Sequence, residues 1–267
     1  MTVKKAAAAP KEDVAVESAR YRAPALEKGL DIVELLAAEP DGLSQNDVAR
    51  RLDRSVAEIF RMLDTLERRG YVLRDRRGGR YTLSLKLFEL AHRHPPTGRL
   101  LSVAMPAMQS YAQRARQSAH MVVHHDGQIL VVARVESPEP MGFSVRMGAY
   151  FPFRERRISA RVLAAFQPTE EREALVDFML RNGPVSKSRA ALVKRLDAIR
   201  RRGYETGDSD AMRGITDTSY PIFAHGGVAA ALTSPCLVQR DVEVAVAEAQ
   251  RLLAETAAAI SRELGGA

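Results

Sequence analysis

The sequence has a single cysteine, Cys236, so no disulfide can form within the chain. That fits a reducing cytoplasm, which is the expected location. No apolar run approaches the roughly 20 residues that a membrane span needs. The alanine run near the N-terminus is too short and too polar-flanked for a signal peptide. Catalytic signatures are also missing. There is no G-x-S-x-G, no Walker loop, no G-x-G-x-x-G after a strand and no H-E-x-x-H. With no visible nucleophile-and-base set, neither an enzyme nor a cofactor is expected. His120, His124 and His125 suggest a metal at first sight. On a strand, however, the first two share a face and the third points away, so ordinary sheet histidines are expected and no metal site.

What is present is enough apolar residue, 46% of 267, for one large core or two modest ones. The net charge of +7 favours an anionic partner such as nucleic acid. Residues 1–22 read as a disordered tail. Residues 24–39 then carry Leu26, Leu30, Val33 and Ala37 at helical spacing, with Pro24 in the first turn and a Pro-Asp-Gly stop at 40–42. Two short helices follow. Ser44 and Ser55 each precede an acid by three residues (Asp47 and Glu58), the pattern of a capping box. The first helix is expected to bury Val48 and Leu52. The second should bury Ile59, Leu63 and Leu66 and stop at Gly70. With Asp53 and Arg54 alone between them, they form a helix-turn-helix.

Two strand-like runs, 71–74 and 80–83, flank Gly78-Gly79 and read as a hairpin. The N-terminal region is therefore a winged helix-turn-helix, and 84–94 is helical up to Pro95-Pro96. Beyond this break the chain mixes helices with hairpins, as an α+β sheet domain does. A hairpin turns at Asp126-Gly127, and GFSVRMG (142–148) reads as a further strand. Helices are expected at about 158–166, 169–181 and 188–202, strands at about 214–223 and 228–234, and a last helix at about 240–264.

The stretch 44–80 holds ten arginines, no lysine and six acids, a local net of +4. Arginine's planar fork pairs with phosphate and reads guanine bidentately. In a helix-turn-helix the start of the second helix enters the major groove. Ser44, Arg54, Ser55, Val56, Ala57, Phe60 and Arg61 are therefore the candidates to meet DNA. Arg61 is the leading reader, with an intrahelical pair to Glu58 or Asp64 as its alternative role. Phe60 is either a thymine-methyl contact or core. Arg76, Arg77 and Arg80 on the hairpin are expected at phosphates or the minor groove.

These residues resemble the IclR family of bacterial transcription regulators. The resemblance is carried by ALEKGLDIVELL, DVARRL, EIFRMLDTLERRGYVLRD and GGRYTLSLKLFELA. Further on it is carried by ILVVARVESP, SVRMGAYFP, RVLAAF, LDAIRRRGYETGD and YPIFAHGGVAAALTSP. It implies a winged helix-turn-helix over 23–84, a linker helix over 85–98 and a GAF-like α/β effector-binding, oligomerising domain over 99–267. It also implies a homodimer or dimer of dimers that represses or activates a catabolic operon on double-stranded DNA. The effector would be a small organic, aromatic or sugar acid. The resemblance places Phe143, Phe151, Ile158, Ser159, Ile215, Asp217 and Thr233 at that effector, with the backbone amides at 158–159 facing its acid group. The segment FRERRISAR departs from the family pattern, because Arg154, Arg156, Arg157 and Arg161 crowd it. Two other readings stand beside this one. One is an enzyme clamping an anionic metabolite with those arginines. The other is a DNA-architectural protein indifferent to ligands.

Overall fold

The computed structural model describes residues 23–75, 78–93, 95–183, 185–238 and 244–266. The chain divides into two compact units at 94/95. Among the described residues no helix is long and apolar enough to cross a membrane.

The first unit begins with α1 (Pro24–Ala37), then β1 (Leu43–Ser44), α2 (Gln45–Arg51) and α3 (Val56–Arg68). Both short helices open on serine caps. Ser44 Oγ accepts from the Asp47 N–H at 3.2 Å and donates to the Asp47 carboxylate at 2.7 Å. Ser55 and Glu58 form the full reciprocal capping box. At its other end α3 closes on Gly70, whose φ of +77° is left-handed. The Tyr71 N–H bonds the Leu66 carbonyl and the Gly70 N–H that of Glu67. This is a Schellman stop, which releases the chain into the hairpin.

That hairpin is β2 (Val72–Arg74) and β3 (Arg80–Leu83), and α4 (Lys86–Arg93) follows. The sheet has three strands rather than two, ordered β1-β3-β2, because Leu43 and Ser44 pair with Tyr81 and Arg80. Two residues are too few for an alternating pattern, so β1 is invisible in the sequence. The core joins Ile32, Leu36, Leu43, Val48, Ala49, Ile59, Leu63, Val72 and Tyr81. The face that α1 buries is offset from the apolar spacing noted in the sequence. Ile32 and Leu36 go inward, whereas Leu26 and Leu30 are 63% and 51% exposed. The helix carries two apolar stripes, and periodicity alone does not say which one meets the core.

The second unit begins with α5 (Pro95–Ala115), so Pro95-Pro96 opens a helix as well as ending one. Proline fits the first turn, where the N–H groups lack intrahelical partners. A six-stranded antiparallel sheet follows, ordered β6-β5-β4-β9-β8-β7. Its strands are β4 (Ala119–His125), β5 (Gln128–Val135), β6 (Tyr150–Pro152), β7 (Glu205–Asp208), β8 (Thr216–Ala224) and β9 (Gly227–Cys236). Helices α6 (Ile158–Ala165), α7 (Thr169–Arg181) and α8 (Arg189–Arg202) pack on one face, and α5 and α9 (Val246–Glu263) on the other. A bulge leaves Val132 of β5 as an extra residue opposite Met121 and Val122, and it sends Ala133 and Val131, two residues apart, into opposite cores.

Two expectations for this unit change. GFSVRMG is not a strand: β5 pairs outward only with 150–152, and the Ala149 carbonyl and Gly148 N–H close the ladder on Val131. Phe143 and Val145 are nonetheless half-buried, and they face a cavity rather than a sheet partner. The segment 205–208, too polar to read as a strand, is β7 at the sheet edge beside β8.

Candidate nucleic-acid interface and effector cavity

The amphipathic build of α3 sorts its residues. Ile59 and Leu63 are fully buried. Val56 and Phe60 are 45% and 50% exposed, and Ala57 and Arg61 are exposed beside them. Phe60 is thus not core. The acids that could occupy Arg61 are engaged elsewhere: Glu58 pairs with Lys28 of α1 at 2.5 Å, and Asp64 with Arg68 at 3.0 Å. The Lys28 ammonium, followed by the Ser55 bonds, holds the Glu58 carboxyl down at about 2. Lys28 therefore fixes the start of α3 to α1, while the Gln45 amide donates to the Val56 carbonyl at 3.1 Å and fixes it to α2. Arg61 has no ion-pair partner among the described residues, and neither does exposed Arg54.

Other arginines of this stretch have internal work. Arg50 pairs with Asp47 and Arg51 with Glu39. Arg80, expected at DNA, donates from Nε to the Asp41 carbonyl at 3.0 Å and from one Nη to that of Gly42 at 2.8 Å. It pins the turn before β1 to β3, so its first role is structural. Ser44 is half-buried, with its hydroxyl engaged in the cap, and Ser55 is exposed but likewise capping. Arg76 and Arg77 lie outside the described residues, as does the tail 1–22.

In the second unit a cavity of about 860 Å³ opens over the α6 face of the sheet. The structure brings Phe143, Phe151, Ile158, Ser159, Asp217 and Thr233 to its walls. Ile215 is buried but is not part of the lining. Its carbonyl accepts from the Ser209 N–H at 2.9 Å and closes the loop 209–214. The first turn of α6 has no side-chain cap, which leaves its amides available to a ligand. Polar residues of the cavity lining include His120, Arg157, Ser159, Ser209, Asp210 and Asp217. Arg157 pairs with Asp210 at 3.3 Å, and its guanidinium lies 4.3 Å from the centre of the Phe151 ring. Burial, then Arg157, pushes His120 down to about 4, so it is neutral near pH 7. Burial raises the Asp217 carboxyl, against a hydrogen bond from Ser209.

Comparison with known proteins decides what carries these two sites. Residues 25–76 match the IclR helix-turn-helix domain, and 97–262 match the family described as bacterial transcriptional regulator IclR C-terminal. The chain belongs to the IclR family. Its relatives include the HTH-type transcriptional regulator KdgR of Escherichia coli K12, 25% identical over 89% of this chain and 91% of that one. The HTH-type transcriptional regulator XynR of the same organism is 24% identical over 90% and 96%. The fold is that of an IclR homologue from Microbacterium hydrocarbonoxydans, solved in complex with 4-hydroxybenzoate. The two agree with a TM-score of 0.72 at 24% identity, over 90% of this chain and 99% of that one.

The IclR family is one of DNA-binding transcription regulators, not enzymes, and this member has both the helix-turn-helix and the effector-binding domain. The arginine-rich departure in its sequence separates in space into three roles. Arg154 and Arg156 are exposed, and Arg157 lines the cavity. Arg161 is buried, donating to the carbonyls of Glu155 and Arg156 at 2.5 and 2.9 Å and facing the Glu205 carboxylate at 3.5 Å. The clamp of four arginines required by the enzyme reading does not form.

Sequence reasoning did not name His120 or the loop 209–212 as cavity residues, and it put Arg157 at a ligand only as one of four clamping arginines. His120 carried a signal, since it shares a strand face with Val122. The loop carried none, because only the return of β8 brings it over α6. Among the described residues no three His, Cys, Asp or Glu side chains are grouped to hold a metal.

Proposed function

We propose that this IclR-family protein is a homodimer or dimer of dimers. It seats α3 and the hairpin in the grooves of an operator and alters that grip when a small organic acid fills the cavity of its second unit. The observation that carries the DNA half is the exposed face of α3, where Val56, Ala57, Phe60 and Arg61 stand together. Arg61 reads a base edge and Phe60 packs on a thymine methyl, while Arg54 and the hairpin arginines 76 and 77 meet phosphates. Arg80, Ser44 and Ser55 support the elements that present this face.

The effector half rests on the cavity. Its volume suits a small ligand, its walls are mixed apolar and polar, and the uncapped start of α6 at Ile158 and Ser159 favours an anion. One structural neighbour carries 4-hydroxybenzoate, and the names of other relatives include a glycerol operon regulatory protein. An organic acid feeding a catabolic operon is therefore the class proposed here, in a cytoplasmic protein. A ligand can shift DNA binding only if its affinity differs between the two states of the regulator.

The self-association proposal is supported by apolar side chains of the first unit that are wholly or partly exposed: Leu26 and Leu30 on α1, and Leu85, Leu87 and Leu90 at α4. The functional boundaries fall at 23–84, 85–98 and 99–267, with 85–98 coupling the two halves. The test is a mobility shift with DNA upstream of the gene and its neighbours, repeated across a panel of small acids and sugars. The reading expects a retarded complex that one acid class releases or strengthens. No complex with any of these DNAs, or a complex that every acid leaves unchanged, would defeat it.

A further inference from the structure

We propose that Arg157 is the group that reads the effector's carboxylate, that Asp210 is its resident counter-ion, and that the cavity therefore selects a monocarboxylic acid with an apolar body, which enters by displacing Asp210. This rests on the cavity being the effector site.

Among the arginines lining the cavity, Arg157 is the one at the mouth of α6, the residue directly before Ile158 and Ser159. Arg134 is already paired with Glu136 at 3.1 Å. The Phe151 ring beneath Arg157 fixes its guanidinium in one orientation, and that makes the fork a rigid receptor. Its present partner is a poor match. The contact with Asp210 is one nitrogen to one oxygen at 3.3 Å, longer than the ~2.7–2.9 Å of a good charge-assisted bond. A ligand carboxylate can bond the fork with both oxygens, and the first-turn amides of α6 lie beside it. Exchange of a single long contact for a bidentate one favours the ligand. Phe143, Val145, Met147 and Met212 supply the apolar walls for its body.

The counter-ion also links occupancy to a moving part. Asp210 sits on the loop 209–214, which is otherwise tethered at Ser209, to the Ile215 carbonyl and the Asp217 carboxyl. Release of Asp210 leaves the segment 210–212, two of whose residues line the cavity with it, held at its base alone. The loop is then free in the bound state and closed in the empty one.

The experiment uses the full chain and calorimetric titration with benzoate, 4-hydroxybenzoate and hexanoate, each against its amide. Wild type is compared with Asp210→Asn, Asp210→Ser, Arg157→Met, Ser159→Trp and the charge control Asp208→Asn, all matched for thermal melting. The expected result is that at least one acid binds wild type and its amide does not. Both Asp210 variants should bind that acid about tenfold tighter, Arg157→Met at least tenfold weaker, and Asp208→Asn unchanged. Hydrogen exchange in a peptide covering 208–215 should also be faster in ligand-free Asp210→Asn than in wild type. Acid binding that Ser159→Trp abolishes but both Asp210 variants leave unaltered overturns the counter-ion and leaves the cavity reading standing. Acid binding that survives Ser159→Trp, or no acid binding to any form, overturns both.

Discussion

Arg61 has an acid three residues to either side on its helix and is paired with neither. Lys28 and Ser55 hold Glu58, and Arg68 holds Asp64, so the Arg61 guanidinium has no ion-pair partner among the described residues. Arg61→Ala should cost about 1–3 kcal/mol of discrimination between operator and scrambled DNA while leaving thermal melting unchanged. Competition binding at fixed salt measures this, and undiminished selectivity would remove Arg61 as a reader. Two carboxyls in the protein respond to pH in opposite directions. Glu58, held at about 2, stabilises the fold above its unfolded value of 4.5, and that contribution is lost as pH falls toward 2. Asp217 is raised by burial, so its contribution is present in full below 3.8 and is lost as pH rises through its folded value. Asp217→Asn should therefore raise the melting temperature of the protein at pH 7.5 by more than at pH 3.5. Equal shifts at both pH values would show that the carboxyl is not strained by its surroundings.

At the scale of elements, legibility followed local chemistry. The helices α2 and α3 announce themselves because their caps are written in single residues, Ser44 with Asp47 and Ser55 with Glu58, and because Gly70 supplies the left-handed stop. Elements defined by a distant partner were harder to see. β1 exists because Leu43 meets Tyr81 across the chain, and β7 because its polar residues pair with β8. GFSVRMG looks like a strand because Phe143 and Val145 alternate with polar neighbours, but the alternation serves a cavity wall. The buried face of α1 was not legible for a similar reason: Leu26 and Leu30 are as apolar as Ile32 and Leu36, and only tertiary contact separates them. Within the cavity, positions along single elements were legible, whereas the loop 209–212 depended on topology. The local origin of α3 can be tested directly. Ser55→Ala should cost about 1 kcal/mol, lowering the melting temperature of the first unit by roughly 4–8 °C. A shift within error would mean that tertiary packing alone holds the helix start.

For the whole molecule, the two units divide the labour of an IclR regulator, DNA contact in the first and ligand capture in the second. Self-association would bring two α3 helices onto one duplex and multiply the weak grip of each. If Leu30 and Leu85 are part of the contact between copies, the Leu30→Glu, Leu85→Glu double variant should elute at monomer mass in light scattering, and its DNA affinity should fall at least tenfold. A variant that keeps the wild-type mass would place self-association elsewhere on the chain. The central claim is that the exposed face of α3 and its hairpin fit a double helix and read its sequence. The most direct measurement is fluorescence anisotropy of labelled promoter DNA, titrated with wild type from 50 to about 300 mM salt beside a scrambled duplex of the same length. The account predicts that affinity for both duplexes falls with log salt, while the promoter keeps a preference of at least about 10³-fold throughout. Equal affinity for the two duplexes at every salt concentration, or no binding at the lowest, would contradict it.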